Sequence, residues 1–339
     1  MPKIRFVSYG LGYIGRLIAK IAIDRDLEMV GGIDIDPRLV GHDLAKVVGS
    51  EVAGGLRVSA DPVETLGQTK PDIVFHATGS FLDKVLDEIM LSVYSGARVV
   101  STCETLCYPY YRYPRLAEEI DRAAKAKGVN VLGAGVNPGF VMDLLPAVMT
   151  TCVAKLERLS VVRCVEASKR RESFQRKIGL GLTLDEFKSK LTRGEITSHV
   201  GLSESVLLIS SMLGLNVEEV KEEQTPVLAE EEIKLPSTVI GRKRVRGVIT
   251  FGVGSRQGNE LIRLEFIALA GIQGQEYEEI RIDGTPSVIW RSSGITGDLA
   301  TGAVVVNMAH HLFSARSGLL TIKDLTQATY FHVNAYNNK

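Results

Sequence analysis

Glu104 closely follows the apolar run Ala97-Arg98-Val99-Val100-Ser101-Thr102, in a chain whose first apolar segment runs directly into Gly10-Leu11-Gly12-Tyr13-Ile14-Gly15. In an open parallel sheet, ligands lie outside the carboxyl ends of the strands. A carboxylate in the turn Ser101-Thr102-Cys103-Glu104-Thr105-Leu106 therefore faces that crevice, where it can take and return protons. It is a candidate general acid/base. The competing account is a helix-capping or solvated glutamate.

Positioning such a group requires a strand, a loop and a helix, and the residues around the glycines supply them. Residues 4–8 read as a short buried strand, and within 16–23 Leu17, Ile18, Ile21 and Ala22 recur at helical spacing. Gly10 suits the tight turn, Gly12 a close backbone approach to a pyrophosphate, and Gly15 close packing of helix on strand, with the helix amino terminus facing the phosphates. Gly10, Gly12, Tyr13, Ile14 and Gly15 are thus candidate dinucleotide contacts. A second strand, Glu28–Ile33, ends in Asp34-Ile35-Asp36 and completes the unit. Asp34 or Asp36 stands where an acid accepts hydrogen bonds from the adenosine ribose, which favours NAD. Arg38 could stack on adenine or neutralise a 2′-phosphate, which leaves room for NADP; a solvated loop is the alternative for both groups.

The alternation continues. Residues 71–78 read as a strand delivering Thr78, Gly79 and Ser80 to the same edge, followed by a helix over 81–94. After Glu104, a helix over 115–127 stops at Gly128, and the strand 129–132 runs into Gly133-Ala134-Gly135-Val136-Asn137-Pro138-Gly139-Phe140. Three strand ends converge on one crevice. Pro138 restricts Asn137 to an extended conformation, so this turn either borders the nicotinamide or simply crosses between domains. His76, inside an apolar strand, reads as a satisfied core histidine rather than a proton shuttle.

Beyond residue 150 the rhythm changes to polar–apolar alternation at 159–165, 247–251, 261–267 and 277–282, the mark of a mixed or antiparallel sheet with one wet face. Helices fall near 185–191 and 203–213, and the loop 197–202 can reach the cleft. A last helix, 297–313, packs back on the nucleotide domain. The expected fold is α/β: a Rossmann-type doubly wound parallel sheet over 1–150, rejoined by 297–330, plus an α+β domain with a mixed or antiparallel sheet over 151–296 for substrate binding and dimerisation.

Composition excludes several roles. Forty basic residues balance forty acidic ones, leaving no field to attract nucleic acid or membrane lipid. The basic run Arg242-Lys243-Arg244-Val245-Arg246 reads as a solvated sheet edge facing acidic clusters at Glu222-Glu223 and Glu230-Glu231-Glu232, rather than a nucleic-acid patch. No apolar stretch of about 18 residues appears, and the first strand starts near Met1, so neither a membrane span nor a cleaved signal is expected. The expected location is cytoplasmic. Cys103, Cys107, Cys152 and Cys164 are too few and too irregular for a disulfide framework. Cys103 and Cys107 lack further ligands nearby in sequence, so reduced structural thiols and no metal are expected.

Longer segments carry a resemblance. VVSTCE (99–104), GAGVNPGFVMDLLP (133–146), RRESFQRKIG (170–179), HVGL (199–202) with Glu204-Ser205, and GITGDLAT (294–301) are similar to 2,4-diaminopentanoate dehydrogenases and the native NAD(P)-dependent amine dehydrogenases. The resemblance covers essentially the whole chain. It implies a nucleotide domain joined to a dihydrodipicolinate-reductase-like domain, a homodimer, and reversible oxidative deamination of an amine-bearing carbon with release of ammonia. It also implies that Glu104 is the acid/base and that Phe140, Phe174 and His199 approach the substrate. Arg170 and Arg171 could grip a substrate carboxylate bidentately, with Arg171 the expected contact; an exposed pair or an interdomain salt bridge is the alternative. Dihydrodipicolinate reductase itself is the rival within the fold family. Its histidine pair leads into a lysine, whereas His310-His311 is followed by Leu312-Phe313-Ser314 and reads as a helix face. A dinucleotide-binding redox sensor without turnover is the reading from another class.

Overall fold

In a computed structural model, which describes residues 3–235, 239–272 and 274–325, the chain divides at Phe140/Val141 and again at Ile295/Thr296 into two compact units. The division precedes the expected boundary at 150, because α7 (Leu144–Met149) and the 3-10 turn Thr150–Cys152 belong to the second unit.

In the first unit, β1 (Arg5–Tyr9) is buried from Phe6 to Tyr9 and leads through the glycine loop into α1 (Tyr13–Asp24), which buries Gly15, Ile18, Ala19, Ala22 and Ile23 along one face. Each large aliphatic side chain so buried contributes roughly 1.5–3 kcal/mol. Then come β2 (Glu28–Ile33), α2 (Leu44–Val48), β3 (Val58–Ser59), α3 (Pro62–Thr69), β4 (Ile73–His76), α4 (Leu82–Tyr94), β5 (Arg98–Ser101), α5 (Pro109–Arg112), α6 (Pro114–Lys127) and β6 (Asn130–Gly133). Asp43 caps α2 and Asp61 caps α3, each accepting a backbone N–H of the first turn, and α6 ends at Gly128 in the left-handed region.

The second unit holds β7 (Lys155–Glu166), α8 (Glu172–Lys177), α9 (Leu184–Thr192), α10 (Leu202–Leu213), β8 (Glu219–Leu228), β9 (Ile233–Lys234), β10 (Val239–Ile240), β11 (Val245–Arg256), β12 (Asn259–Leu269), β13 (Tyr277–Thr285) and β14 (Val288–Arg291). The chain then returns to the first unit as α11 (Gly297–Leu312) and β15 (Gly318–Leu320).

The first sheet has the order β15-β6-β5-β4-β1-β2-β3, and every pairing in it is parallel. Such strands are buried on both faces and read as continuous apolar runs, which is why they are visible in the sequence. Order reverses between β1 and β4, so the crevice for a ligand opens there. Helix α11 packs on α1, with Gly302 against Ile21 and Leu17, and Val304, Val305, Val306 and Ala309 join the main core.

The second sheet has the order β14-β13-β7-β12-β11-β8 and is mixed: β7 and β12 are parallel, and the other neighbours antiparallel. Its strands are longer than the apolar runs alone indicate, and β8 joins it although Glu-Val-Lys-Glu-Glu-Gln is too polar to read as strand. Cross-strand pairing with β11 holds it there. The basic run does not meet the acidic cluster at Glu222-Glu223, because the β8/β11 register sets Val245 opposite Leu228 and Gly252 opposite Glu222. Arg244 lies instead 3.9 Å from Glu186, and Glu222 accepts the backbone N–H of Ser203.

Candidate functional site

The glycine loop is closed by sterics. A Cβ on Gly15 would lie 1.8 Å from the Gly10 carbonyl oxygen, and one on Gly10, at φ +89°, would lie 2.6 Å from the carbonyl oxygen of Ala77. Neither position admits another residue without moving backbone. Gly12 is different: it is exposed and a Cβ there would meet nothing within 4 Å. That open space before the amino terminus of α1 fits a pyrophosphate, since unpaired N–H groups and the helix dipole favour an anion there. Tyr13 is exposed, while Ile14 packs against the core beneath.

The two acids after β2 take separate parts. Asp34 accepts the backbone N–H of Leu11 at 2.6 Å and of Asp36 at 2.8 Å, so it fastens the glycine loop to the end of β2. Asp36 accepts from the guanidinium Nε and Nη2 of Arg38. Hydrogen bonds from the Arg38 side chain and backbone hold the Asp36 carboxyl down at about 2, so it is ionised at neutral pH. A pair of opposite charges thus lies in the loop after β2.

Glu104 opens a 3-10 turn, Glu104–Leu106, directly after β5 and is half-buried. The turn is fastened to the neighbouring loop after β4. The backbone N–H of Thr105 donates to the Ser80 carbonyl at 3.2 Å, and the Thr105 hydroxyl accepts the N–H of Leu82 at 2.8 Å. It also lies flat against β6: a Cβ on Gly133 would come within 2.5 Å of the Leu106 backbone. Cys103 is fully buried and its thiol is pushed up to about 12 by burial and by the Glu104 charge, so it stays protonated. Asn137, joined to Pro138 by a cis peptide, and Gly139 form the next loop along the edge; Phe140 packs half-buried against the core. The first unit therefore gathers the glycine loop, Thr78-Gly79-Ser80, Glu104 and Asn137 at the carboxyl ends of β1, β4, β5 and β6.

In the second unit, Phe174 of α8 and His199 of the loop before α10 converge on one ring, Phe266 of β12. His199 lies 4.1 Å from it at 33°, and Phe174 meets it edge-on at 6.5 Å. Arg170, rather than Arg171, sits over Phe174 at 5.5 Å, whereas the Arg171 Nε donates to the Ser173 hydroxyl. In register, Thr250, Phe266, Arg163 and Glu278 form one row across β11, β12, β7 and β13. The Thr250 hydroxyl is buried without a hydrogen-bond partner among the described residues. Arg163 and Glu278, both buried, lie 3.4 Å apart, and Arg163 also donates to the Ile295 carbonyl.

Phe266 and Arg163 escaped the reading of the sequence. Both sit at inward positions of alternating strands, after Ile262 and Leu264 and after Leu159 and Val161; for Arg163 a charge at an inward position was the available signal. Asp143 and Ser205, from two of the segments shared with the resembled family, bond each other at 2.7 Å, and Asp143 caps α7. Those segments thus carry framework as well as chemistry.

The parallel sheet with its glycine loop and strand-end carboxylate defines the class as an α/β oxidoreductase of the dinucleotide-binding type. The sequence model of the 2,4-diaminopentanoate dehydrogenase C-terminal domain matches residues 140–337. The chain belongs to the 2,4-diaminopentanoate dehydrogenase family. It is 28% identical over 333 residues to the 2,4-diaminopentanoate dehydrogenase of Acetoanaerobium sticklandii, covering 96% of this chain and 94% of that one. Its fold is that of the amine dehydrogenase from Mycobacterium smegmatis, with TM-score 0.85 and 22% identity over 97% of this chain and 98% of that one. Dihydrodipicolinate reductase from Paenisporosarcina sp. TG-14 shares the fold more distantly, with TM-score 0.50 and 15% identity over 96% of this chain and 100% of that one.

Proposed function

We propose that this protein catalyses the reversible NAD(P)-dependent oxidative deamination of a primary amine. The leading reaction is 2,4-diaminopentanoate to 2-amino-4-oxopentanoate, and reductive amination of simple ketones with ammonia comes second. The observation that carries this reading is the half-buried Glu104 on a turn fastened to the Ser80 loop, at the carboxyl edge of a parallel sheet whose glycine loop fits a pyrophosphate. The names of the relatives support the amine.

A bound nicotinamide supplies the hydride acceptor, or in reverse the hydride donor. Gly12 and the amino terminus of α1 hold the pyrophosphate, with Tyr13, Ile14, Thr78, Gly79, Ser80 and Asn137 around the dinucleotide; Asp36 favours NAD, and Arg38 allows NADP. An ammonium has no lone pair with which to expel a hydride, so Glu104 first takes a proton from it. Glu104 passes that proton to solvent and, once the substrate carbon is part of an iminium, takes a proton from water as the oxygen attacks that carbon; it gives this proton to the nitrogen and takes the hydroxyl proton as the C–N bond breaks, the carbonyl forms and ammonia leaves. A positioned acid/base of this kind contributes about 10²–10⁴ in rate. The family resemblance assigns Phe140, Phe174 and His199 to the substrate, and a substrate carboxylate to Arg170 or Arg171. The enzyme works as a homodimer in the cytoplasm, where its four free cysteines stay reduced.

The test is a panel of amines and diamino acids with NAD⁺ and NADP⁺, and of ketones with ammonia and NADH. Turnover is expected with at least one amine, and Glu104→Gln should lower it by about 10²–10⁴ while NADH affinity, read by fluorescence titration, stays nearly unchanged. Tight nucleotide binding without turnover on any panel member would point to a redox sensor instead, and near-normal turnover in Glu104→Gln would remove the acid/base role.

A further inference from the structure

His76, the last residue of β4, is fully buried at the edge that carries the site. Its Nδ1 lies 2.7 Å from the Ser101 hydroxyl, and its Nε2 lies 2.7 Å from Glu88 Oε2 and 2.8 Å from the Thr78 hydroxyl. Thr78 donates its own proton to Glu88, and Ser101 Oγ accepts the backbone N–H of Cys103 at 3.1 Å. A buried imidazole is costly unless both nitrogens are paired, and here the partners dictate the proton's place. Glu88 only accepts when ionised. Burial raises its carboxyl, but hydrogen bonds from His76 and Thr78 more than reverse this, leaving it below the usual value. The ring must therefore carry its proton on Nε2. In the neutral ring Nδ1 is then an acceptor, and it takes the Ser101 hydroxyl proton, for which no other acceptor is near among the described residues.

The result is one directional chain: Cys103 N–H to Ser101 Oγ, Ser101 O–H to His76 Nδ1, and His76 Nε2–H to Glu88, which also receives Thr78 O–H. One end is the amide immediately before Glu104, and the other is the loop after β4. Tyr9, whose ring meets His76 edge-on at 5.7 Å, closes the remaining side, its hydroxyl pushed up to about 12 by burial and by Glu88, so that it stays neutral.

We propose that His76, fixed as the Nε2–H tautomer between Glu88 and Ser101, is a positioning residue that sets the Glu104 turn against the Thr78 loop. This rests on Glu104 being the acid/base. Removing the Ser101 hydroxyl leaves Nδ1 and the Cys103 amide without their partner, and the turn is free to shift. A displacement of about 1 Å costs on the order of 100-fold in a reaction that depends on alignment.

The test has two parts. In nitrogen-15 spectra of the wild-type enzyme, His76 should show a protonated Nε2 and a bare Nδ1; a proton on Nδ1 overturns the proposal, whatever the variants do. Kinetically, Ser101→Ala should lower kcat by roughly 10–100-fold with the NADH dissociation constant changed less than about twofold, and should lower the residual turnover of Glu104→Gln no further. Equal losses in both backgrounds, or a wild-type rate in Ser101→Ala beside a disabled Glu104→Gln, overturn this proposal alone. Near-normal turnover in Glu104→Gln removes the acid/base reading and this proposal with it.

Discussion

Asp36 and Arg38 hold each other through three hydrogen bonds between their side chains, so a change at either residue removes one charge and releases the other from that pair. If the adenosine ribose lies beside this pair, Asp36→Ala removes a charge that would repel a 2′-phosphate and releases the guanidinium to bind one. The ratio of kcat/KM for NADP over NAD should rise at least tenfold by the affinity arithmetic of one lost repulsion and one gained contact; an unchanged ratio would move the discrimination elsewhere. We propose that Arg170 or Arg171 separates the substrates in a similar way. If one of them grips a carboxylate, its replacement by Met should raise KM for a diamino acid about tenfold or more through loss of a charge-assisted pair, yet leave a neutral amine nearly unaffected. Because Arg170 sits over Phe174, the larger effect is expected there. Equal effects on both substrates would assign the arginines to the fold.

At the scale of elements, the position of Glu104 depends on how closely its 3-10 turn lies on β6. At Gly133 the approach is close, and the atoms that a Cβ would strike are the backbone of Leu106 and Cys107. Flexible side chains can yield; these atoms cannot without moving the turn. Gly133→Ala should therefore lower kcat by about 10- to 100-fold while the circular dichroism spectrum and NADH binding stay close to wild type. Activity within twofold of wild type would show that the turn tolerates the shift.

At the scale of the molecule, the second sheet covers one face with α10, where Gly252 meets Leu202 and Gly254 meets Val206. The opposite face, with Ile249, Phe251 and Val253 of β11, Ile267 of β12 and Val162 of β7, is only half-buried in one copy of the chain. We propose that this face, on which Phe251 stands in register between Glu223 and Glu265, is covered by a second copy in a self-complementary twofold contact. Sedimentation at low micromolar concentration should show twice the mass of the 36.9 kDa chain, and a stable, active monomer would contradict the dimer. Among the described residues, no helix is long and apolar enough to cross a membrane.

The sequence by itself determined the parallel sheet, the glycine loop and the place of Glu104. Strands buried on both faces must be continuously apolar, and loops at their carboxyl ends must follow them in the chain, so local pattern carries the information. It also offered Asp34 and Asp36 as equals. Only the tertiary structure separated them, by bringing the Leu11 amide to one and leaving the other to Arg38. Phe266 beneath His199, Arg170 rather than Arg171 over Phe174, and the chain from Thr78 to Cys103 were likewise decided by folding. Each joins residues far apart in sequence or depends on a side chain's direction, and neither register nor direction is encoded in spacing along one segment.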